Sequence, residues 1–179
     1  MTEKRILLII GGGIAAFKAL LLIRLLSKRG IKVSAIVTKA GAEFVTPLSV
    51  GALSGERVYT DLFSLSDEAE MGHIELSRSA DLVVVVPATA DLMAKAAHGL
   101  ANDLASTTLL ATDKRVLYAP AMNVRMWEHA ATQTNIETLR ARGSLFVGPD
   151  EGDMACGEHG MGRMSEPEQV FTTIQEQLK

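Results

Sequence analysis

Asp81-Leu-Val-Val-Val-Val-Pro-Ala-Thr-Ala-Asp91 is the stretch that decides the fold. Leu82 to Val86 is apolar without alternation, the pattern of a strand covered on both faces, as in a parallel sheet flanked by helices. Pro87 has no N–H for a sheet ladder, so the chain is expected to leave the sheet there. The loop that follows, Pro87-Ala-Thr-Ala-Asp91, is small and hydroxylated. Asp91 is placed to cap the helix-forming run Leu-Met-Ala-Lys-Ala-Ala that comes next. In open α/β sheets ligands sit outside the carboxyl ends of the strands, facing such loops and helix starts. Residues 87–91 are therefore the first place to look for a site.

Working outward, the same alternation recurs in both directions. Arg5 to Ile10 reads as a buried strand broken by Gly11-Gly-Gly13, and Ile14 to Arg29 as a helix closed by Gly30. Ile31 to Val37 reads as a second strand ending at Thr38, and Pro47 to Leu53 as a short helix with proline in its first turn. Gly55 to Glu70 is expected to be irregular, as is Met71-Gly-His73 just before the central strand. Asp103 to Ala111 is expected to be a helix, Arg115 to Tyr118 a strand stopped by Pro120, and Glu128 to Arg142 a helix ending at Gly143. Leu145 to Val147 is expected to be the last strand. Residues 148–165 hold five glycines and no periodicity, and Pro167 opens a final amphipathic helix. The expectation is a single α/β domain over 1–179, with a doubly wound parallel sheet of Rossmann-like, flavodoxin-like type.

Composition narrows the class. The chain has 179 residues, 47% hydrophobic but only 4% aromatic, so its core must be aliphatic. The formal charge is −3, with no basic run, which argues against nucleic acid as a partner. One cysteine forbids an internal disulfide and suits a reducing cytosol. The run Ile6 to Ile10 is too short for a signal core or a membrane span, so the expected location is cytoplasmic, with no membrane contact.

Gly11-Gly-Gly-Ile-Ala-Ala16 lies between a strand and a helix and fits G-x-G-x-x-A, which lets backbone approach a phosphate at a helix start. A dinucleotide site also wants an acid at the end of the second strand to hold a ribose. Thr38-Lys39 stands there instead, which favours a phosphate and hence a mononucleotide over NAD; NADP stays open through Lys39. No G-K-[ST] follows the glycines, which excludes a P-loop nucleotidase. Among the histidines, His98 and His129 read as surface or capping residues, and His73 as a loop residue. His159 near Cys156 and Asp153 raises a metal site, but four ligands are not visible. In Pro120-Ala-Met-Asn-Val-Arg-Met-Trp127 the soft side chains and one directed amide, Asn123, suit a flat aromatic ligand. Ala155-Cys-Gly-Glu-His-Gly-Met-Gly-Arg-Met164 sets the thiol in a glycine-rich segment able to act as a lid.

These motifs, with Gly99-Leu-Ala-Asn-Asp-Leu104 between them, occur in an order that resembles the homo-oligomeric flavin-containing cysteine decarboxylases over essentially the whole chain. The Asn123 and Cys156 motifs are the specific ones; the glycine and Pro-Ala-Thr-Ala-Asp loops are shared with flavin prenyltransferases. The resemblance implies FMN, with its phosphate at Gly12, Gly13 and Thr38 and its ring against Ala88, Thr89, Ala90, Asp91 and Ala121. It implies His73 as the catalytic histidine, Asn123 on the substrate carboxylate or its reacting centre, and Cys156 as a late proton donor. Met126 and Met164 are expected to join Asn123 and Cys156 at the substrate. Two departures stand out: many relatives carry Ser at Gly13 and Asn at Asp91, and an ionised Asp91 can only accept hydrogen bonds.

The implied reaction is decarboxylation of 4′-phosphopantothenoylcysteine to 4′-phosphopantetheine in coenzyme A biosynthesis. Oxidation of the CH₂–SH to a thioaldehyde gives the carbanion left by CO₂ a sulfur to delocalise onto, and the electrons then return with a proton. The resemblance further implies a homo-oligomer built from trimers, a dodecamer being one such assembly, and a phosphopantothenoylcysteine synthetase as a fused or separate partner. Three alternatives are a lantibiotic-type peptidyl-cysteine decarboxylase, a flavin prenyltransferase and a non-catalytic flavoprotein regulatory subunit.

Overall fold

The computed structural model describes residues 3–62 and 69–179, with side chains described over 3–62 and 74–179. Its frame is two buried strands side by side, β1 (Arg5–Ile10) and β4 (Leu82–Ala88), pairing in parallel as Ile6↔Leu82 through Ile9↔Val85. Both faces of each are covered. Ile6, Leu8, Ile10, Leu82, Val84 and Val86 enter one core cluster, and Leu7, Ile9, Val83 and Val85 enter the other. That is why neither sequence alternates.

From β1 the chain runs outward through helix α1 (Ala16–Lys28), strand β2 (Lys32–Val37), helices α2 (Lys39–Ala42) and α3 (Pro47–Ser54), and strand β3 (Val58–Tyr59). It returns through helix α4 (Ala69–Arg78) to β4, then outward again through α5 (Ala90–His98), α6 (Leu104–Ala111), β5 (Val116–Pro120), α7 (Val124–Glu128), α8 (Ala130–Ala141) and β6 (Leu145–Phe146). The sheet order is β3-β2-β1-β4-β5-β6, with every pair parallel. The direction of winding reverses between β1 and β4, where the end loops part and leave a crevice. A separate antiparallel hairpin, β7 (Asp150–Asp153) and β8 (His159–Arg163), precedes the last helix, α9 (Pro167–Gln177). No described helix is long and apolar enough to cross a membrane.

Several local expectations are corrected. Pro87 does not end its strand: β4 continues to Ala88, which pairs with Pro120 after a register shift that accommodates the missing N–H. Pro120 likewise closes β5 and does not stop it short. The cap of α5 is Thr89, whose hydroxyl accepts from Leu92 N–H at 3.2 Å, and Asp91 sits within the first turn. Part of Gly55–Glu70 is a strand, since Val58 and Tyr59 pair with Ala35 and Ile36; two residues are too few to give a period. Met71 to His73 belongs to α4 and is not a loop. Ala, Glu, Met and Leu around Gly72 favour helix enough to offset the glycine, which costs about 1 kcal/mol. The helix expected over 128–142 is two helices, broken at His129, whose Nδ1 accepts from Ala131 N–H at 3.1 Å and caps the second. Residues 150–163 are an ordered hairpin, although the glycines hide its period.

Candidate functional site

The glycine loop at the end of β1 is shaped by what lies behind it. A Cβ on Gly11 would sit 2.5 Å from the carbonyl oxygen of Pro87, and one on Gly12 would sit 2.6 Å from Cβ of Ala40. Gly13 has φ +133 and faces open space. The loop is thus wedged between the ends of β4 and β2, with its outer side bare backbone. Among the described residues the N–H groups of Gly13, Ile14 and Ala15 meet no protein acceptor. They are the orphan donors at the positive end of the 13-residue helix α1, the arrangement that takes an anion.

Thr38 lines the same cleft as Gly12. Its hydroxyl donates to the carbonyl of Ile10 at 3.0 Å and accepts from Gly41 N–H at 2.9 Å. Its proton ties the ends of β1 and β2 together, and Lys39 follows it at the start of α2. Thr89 keeps its own hydroxyl proton, because its oxygen only accepts from the helix.

Between these loops and α6 lies a cleft of about 1070 Å³, lined by Gly12, Thr38, Phe44, Thr89, Asp91 and Asp103, among others. Lys95 stands on its wall, 3.1 Å from Asp91 Oδ2 and 3.0 Å from Asp103 Oδ2. Burial works against its charge, but hydrogen bonds from Asp103 and Asp91 outweigh it and hold the ammonium above its ordinary range. Asp103 caps α6 through Ser106 N–H at 2.7 Å. Burial raises its carboxyl, yet the Ser106 N–H and Lys95 together hold it below the usual carboxylate range. The sequence reading did not single out Lys95 as a site residue; its place four residues after Asp91 was the available signal.

The second half of the site lies at the ends of β4 and β5. Ala88 is fully buried, and its carbonyl accepts from Ala121 N–H at 3.1 Å, so both alanines act by holding the two loops together. Asn123 caps α7: its Oδ1 accepts from Met126 N–H at 2.8 Å, which leaves its exposed amide NH₂ free to donate. The hairpin sits directly on this loop. Met122 N–H donates to the carbonyl of Gly162 at 3.0 Å, and a Cβ on Gly162 would run into the carbonyl of Met122. Cys156 is exposed on the hairpin turn, with Sγ 3.7 Å from Glu158 Oε2. Met126 is exposed beside Asn123, whereas Met164 is only 2% exposed and belongs to the aliphatic core. Its backbone is anchored from α1: Lys18, buried there, donates to the Met164 carbonyl at 2.8 Å and to Glu166 Oε1 at 3.0 Å. The Lys18 hydrogen bond is the main reason that Glu166 lies below the ordinary carboxylate range. A lysine on the apolar stripe with Ala19, Leu22 and Leu26 was a readable sign of this anchor.

Among the described residues no group of three acidic, histidine or cysteine side chains is arranged to hold a metal. His73 falls on α4, but its side chain lies outside those described.

A model of the family described as Flavoprotein matches residues 1–179. The chain belongs to the flavoprotein family. It is 48% identical over 174 residues to the coenzyme A biosynthesis bifunctional protein CoaBC of Haemophilus influenzae, covering 97% of this chain and 44% of that protein. With CoaBC of Escherichia coli the identity is 52% over 167 residues, covering 93% and 41%. The chain thus spans less than half the length of these curated relatives. Among solved structures, a cysteine-to-serine mutant of PPC decarboxylase complexed with pantothenoylaminoethenethiol superposes with TM-score 0.84 at 30% identity, over 98% of each chain. The FMN-dependent cysteine decarboxylase SpaF superposes with TM-score 0.81 at 27% identity, over 99% and 98%. Both likenesses bear out the doubly wound α/β expectation.

Proposed function

We propose that this chain is an FMN-dependent carboxy-lyase that converts 4′-phosphopantothenoylcysteine to 4′-phosphopantetheine, acting over 1–179 as the decarboxylase domain. One observation carries the reading. The Cys156 hairpin is seated on the Asn123 loop by the Met122–Gly162 hydrogen bond, so a thiol and a free amide donor share one side of the site.

The residues present fit FMN. The backbone donors of the glycine loop and Lys39 suit its phosphate, and the cleft beside Thr89 and Asp91 suits a flat ring. Bound there, FMN supplies a reversible two-electron acceptor. Asn123, with Oδ1 committed to Met126 N–H, directs its NH₂ at the substrate carboxylate and fixes it for loss of CO₂. His73, on α4, accepts the proton released as the substrate thiol is oxidised, a role carried by the family resemblance. Cys156 delivers a proton to carbon in the final step.

Ile14 just before α1 and Phe17 and Leu21 on it, with Phe44 and Leu48, are exposed apolar side chains, which supports a homo-oligomer; that it is built from trimers is carried by the family resemblance. A phosphopantothenoylcysteine synthetase, fused or separate, makes the substrate, and the expected location is the cytoplasm.

The deciding experiment incubates FMN-loaded protein with 4′-phosphopantothenoylcysteine and follows CO₂ and 4′-phosphopantetheine. Both should appear in equal amounts. His73→Asn should keep its flavin but fail to oxidise substrate. Cys156→Ser should release CO₂ and accumulate the enethiol. Absence of both products with wild-type protein, or recovery of FAD in place of FMN, overturns the assignment.

A further inference from the structure

The two faces of the β7–β8 hairpin are unlike. On the inner face, β8 presents only Gly160 and Gly162, laid flat on Val124 and on the Met122 carbonyl. The rung Gly152↔Gly160 has no side chains, and the space over Gly162 is filled by the end of the Met154 side chain, so the polar pairing next to the turn falls to the outer face. That face carries His159 and Met161 opposite Asp153 and Glu151; past the register shift Arg163 pairs with Asp150, and its side chain lies across Gly152. His159 Nδ1 is 2.8 Å from Asp153 Oδ1, and its Nε2 is 3.8 Å from Glu151 Oε1. Asp153↔His159 is the last rung before the turn that holds Cys156. Within the turn, Met154 N–H donates to Glu158 O and Gly157 N–H to Met154 O, both at 2.9 Å.

We infer that His159 is a positioning residue: by bridging Asp153 and Glu151 it clasps the mouth of the Cys156 turn, and the clasp opens as the imidazole loses its proton. The inference rests on the proposed reaction for its consequence, because a loosened turn leaves the Cys156 proton poorly placed for the last step. An imidazolium both donates Nδ1–H to Asp153 and attracts Glu151 by its charge across 3.8 Å; the neutral ring keeps the Asp153 hydrogen bond at most and loses the attraction to both carboxylates. The Asp153 hydrogen bond first, then the charges of Asp153 and Glu151, hold His159 above its ordinary pKa against slight desolvation. The clasp is therefore complete below the ordinary histidine value and is lost as pH rises through the raised one.

Other charges around it are accounted for. Glu158 faces Cys156 from the turn, and Arg163 at the far end of β8 is drawn to Glu166 at 2.6 Å. Arg125 and Glu128 on α7 beneath the hairpin make no ion pair among the described residues.

The test compares FMN-loaded wild type with His159→Gln, which keeps a hydrogen-bonding side chain but cannot take a proton. After correction for intrinsic exchange, amide protection at Met154 and Gly157 in the wild type should fall about two- to threefold between about pH 6 and about pH 8, the scale of exposed ion pairs. In His159→Gln it should stay flat. Under anaerobic turnover, the share of enethiol that proceeds to 4′-phosphopantetheine should fall over the same interval in the wild type alone. Equal protection profiles, or equal product profiles, in the two proteins overturn the clasp. A wild type that consumes no substrate, yet keeps the contrast in protection, supports the clasp and overturns the proposed reaction instead.

Discussion

Gly11–Gly13 at the end of β1 and Gly157–Gly162 in the hairpin both bring bare backbone to the site, but they rest on different foundations. Behind Gly11 stands Pro87 in the buried strand β4, and behind Gly12 stands Ala40 in α2, just after β2. Behind Gly160 and Gly162 stand Val124 and the Met122 carbonyl, part of a loop. The first segment is joined to the core, so the anion site forms whenever the domain folds. The second is a rim element held by one backbone bond, the Lys18 anchor at its base and surface pairs near its tip. A permanent cofactor suits the first kind of support. A substrate that must enter and leave suits the second.

The largest expected effect breaks the first foundation. Gly11→Ala forces a Cβ against the Pro87 carbonyl and should cost about 3 kcal/mol of stability, read by urea denaturation, with flavin lost in parallel. A variant with wild-type stability would mean that the loop is not wedged. Gly162→Ala, at φ +131 and against the Met122 carbonyl, should leave the urea midpoint nearly unchanged. It should nonetheless lower 4′-phosphopantetheine formation at least tenfold, the scale of a misplaced catalytic group. If that variant also unfolds, the two regions are not independent.

A smaller effect separates the two jobs of Asn123. Asn123→Ala should lose about 1 kcal/mol of capping energy. Asn123→Asp should keep the cap and lose the NH₂ donor, so it should melt like the wild type and fail to bind the substrate carboxylate. The smallest effect concerns the cleft wall. The carboxyl of Asp103 is held below the ordinary aspartate range, so its contribution to stability is present above that range. It fades as pH falls through the lower folded value. Asp103→Asn should therefore lower stability slightly at neutral pH and converge with the wild type in acid, which flattens the acid limb of the stability curve. An acid limb identical to that of the wild type would show that Lys95 and Ser106 do not hold that charge.

The difference between the two regions also explains what could be read in advance. Leu82 to Val86 and Ile6 to Ile10 announce themselves because burial on both faces leaves a continuous apolar run, and Gly11–Gly13 follows one of them directly. The hairpin gives no such sign. Its inner positions are glycine and its outer ones are charged, so hydrophobic period is missing although register is well defined. Pro87 misled for a related reason: a residue without an N–H ends a ladder by local rules, yet the Ala88–Pro120 pairing carries β4 past it.

The sequence by itself determined the parallel α/β architecture, the glycine loop, the missing ribose acid and the amide and thiol motifs, because each is a local pattern of period or residue type. Only the tertiary structure decided which partners those groups meet. Thr38 gives its proton to Ile10 and Asn123 gives its oxygen to Met126. Met164 turns into the core, and Lys18 reaches across 146 residues to hold its carbonyl. A hydrogen bond has one donor and a preferred direction, and which acceptor lies in that direction is set by how distant elements pack.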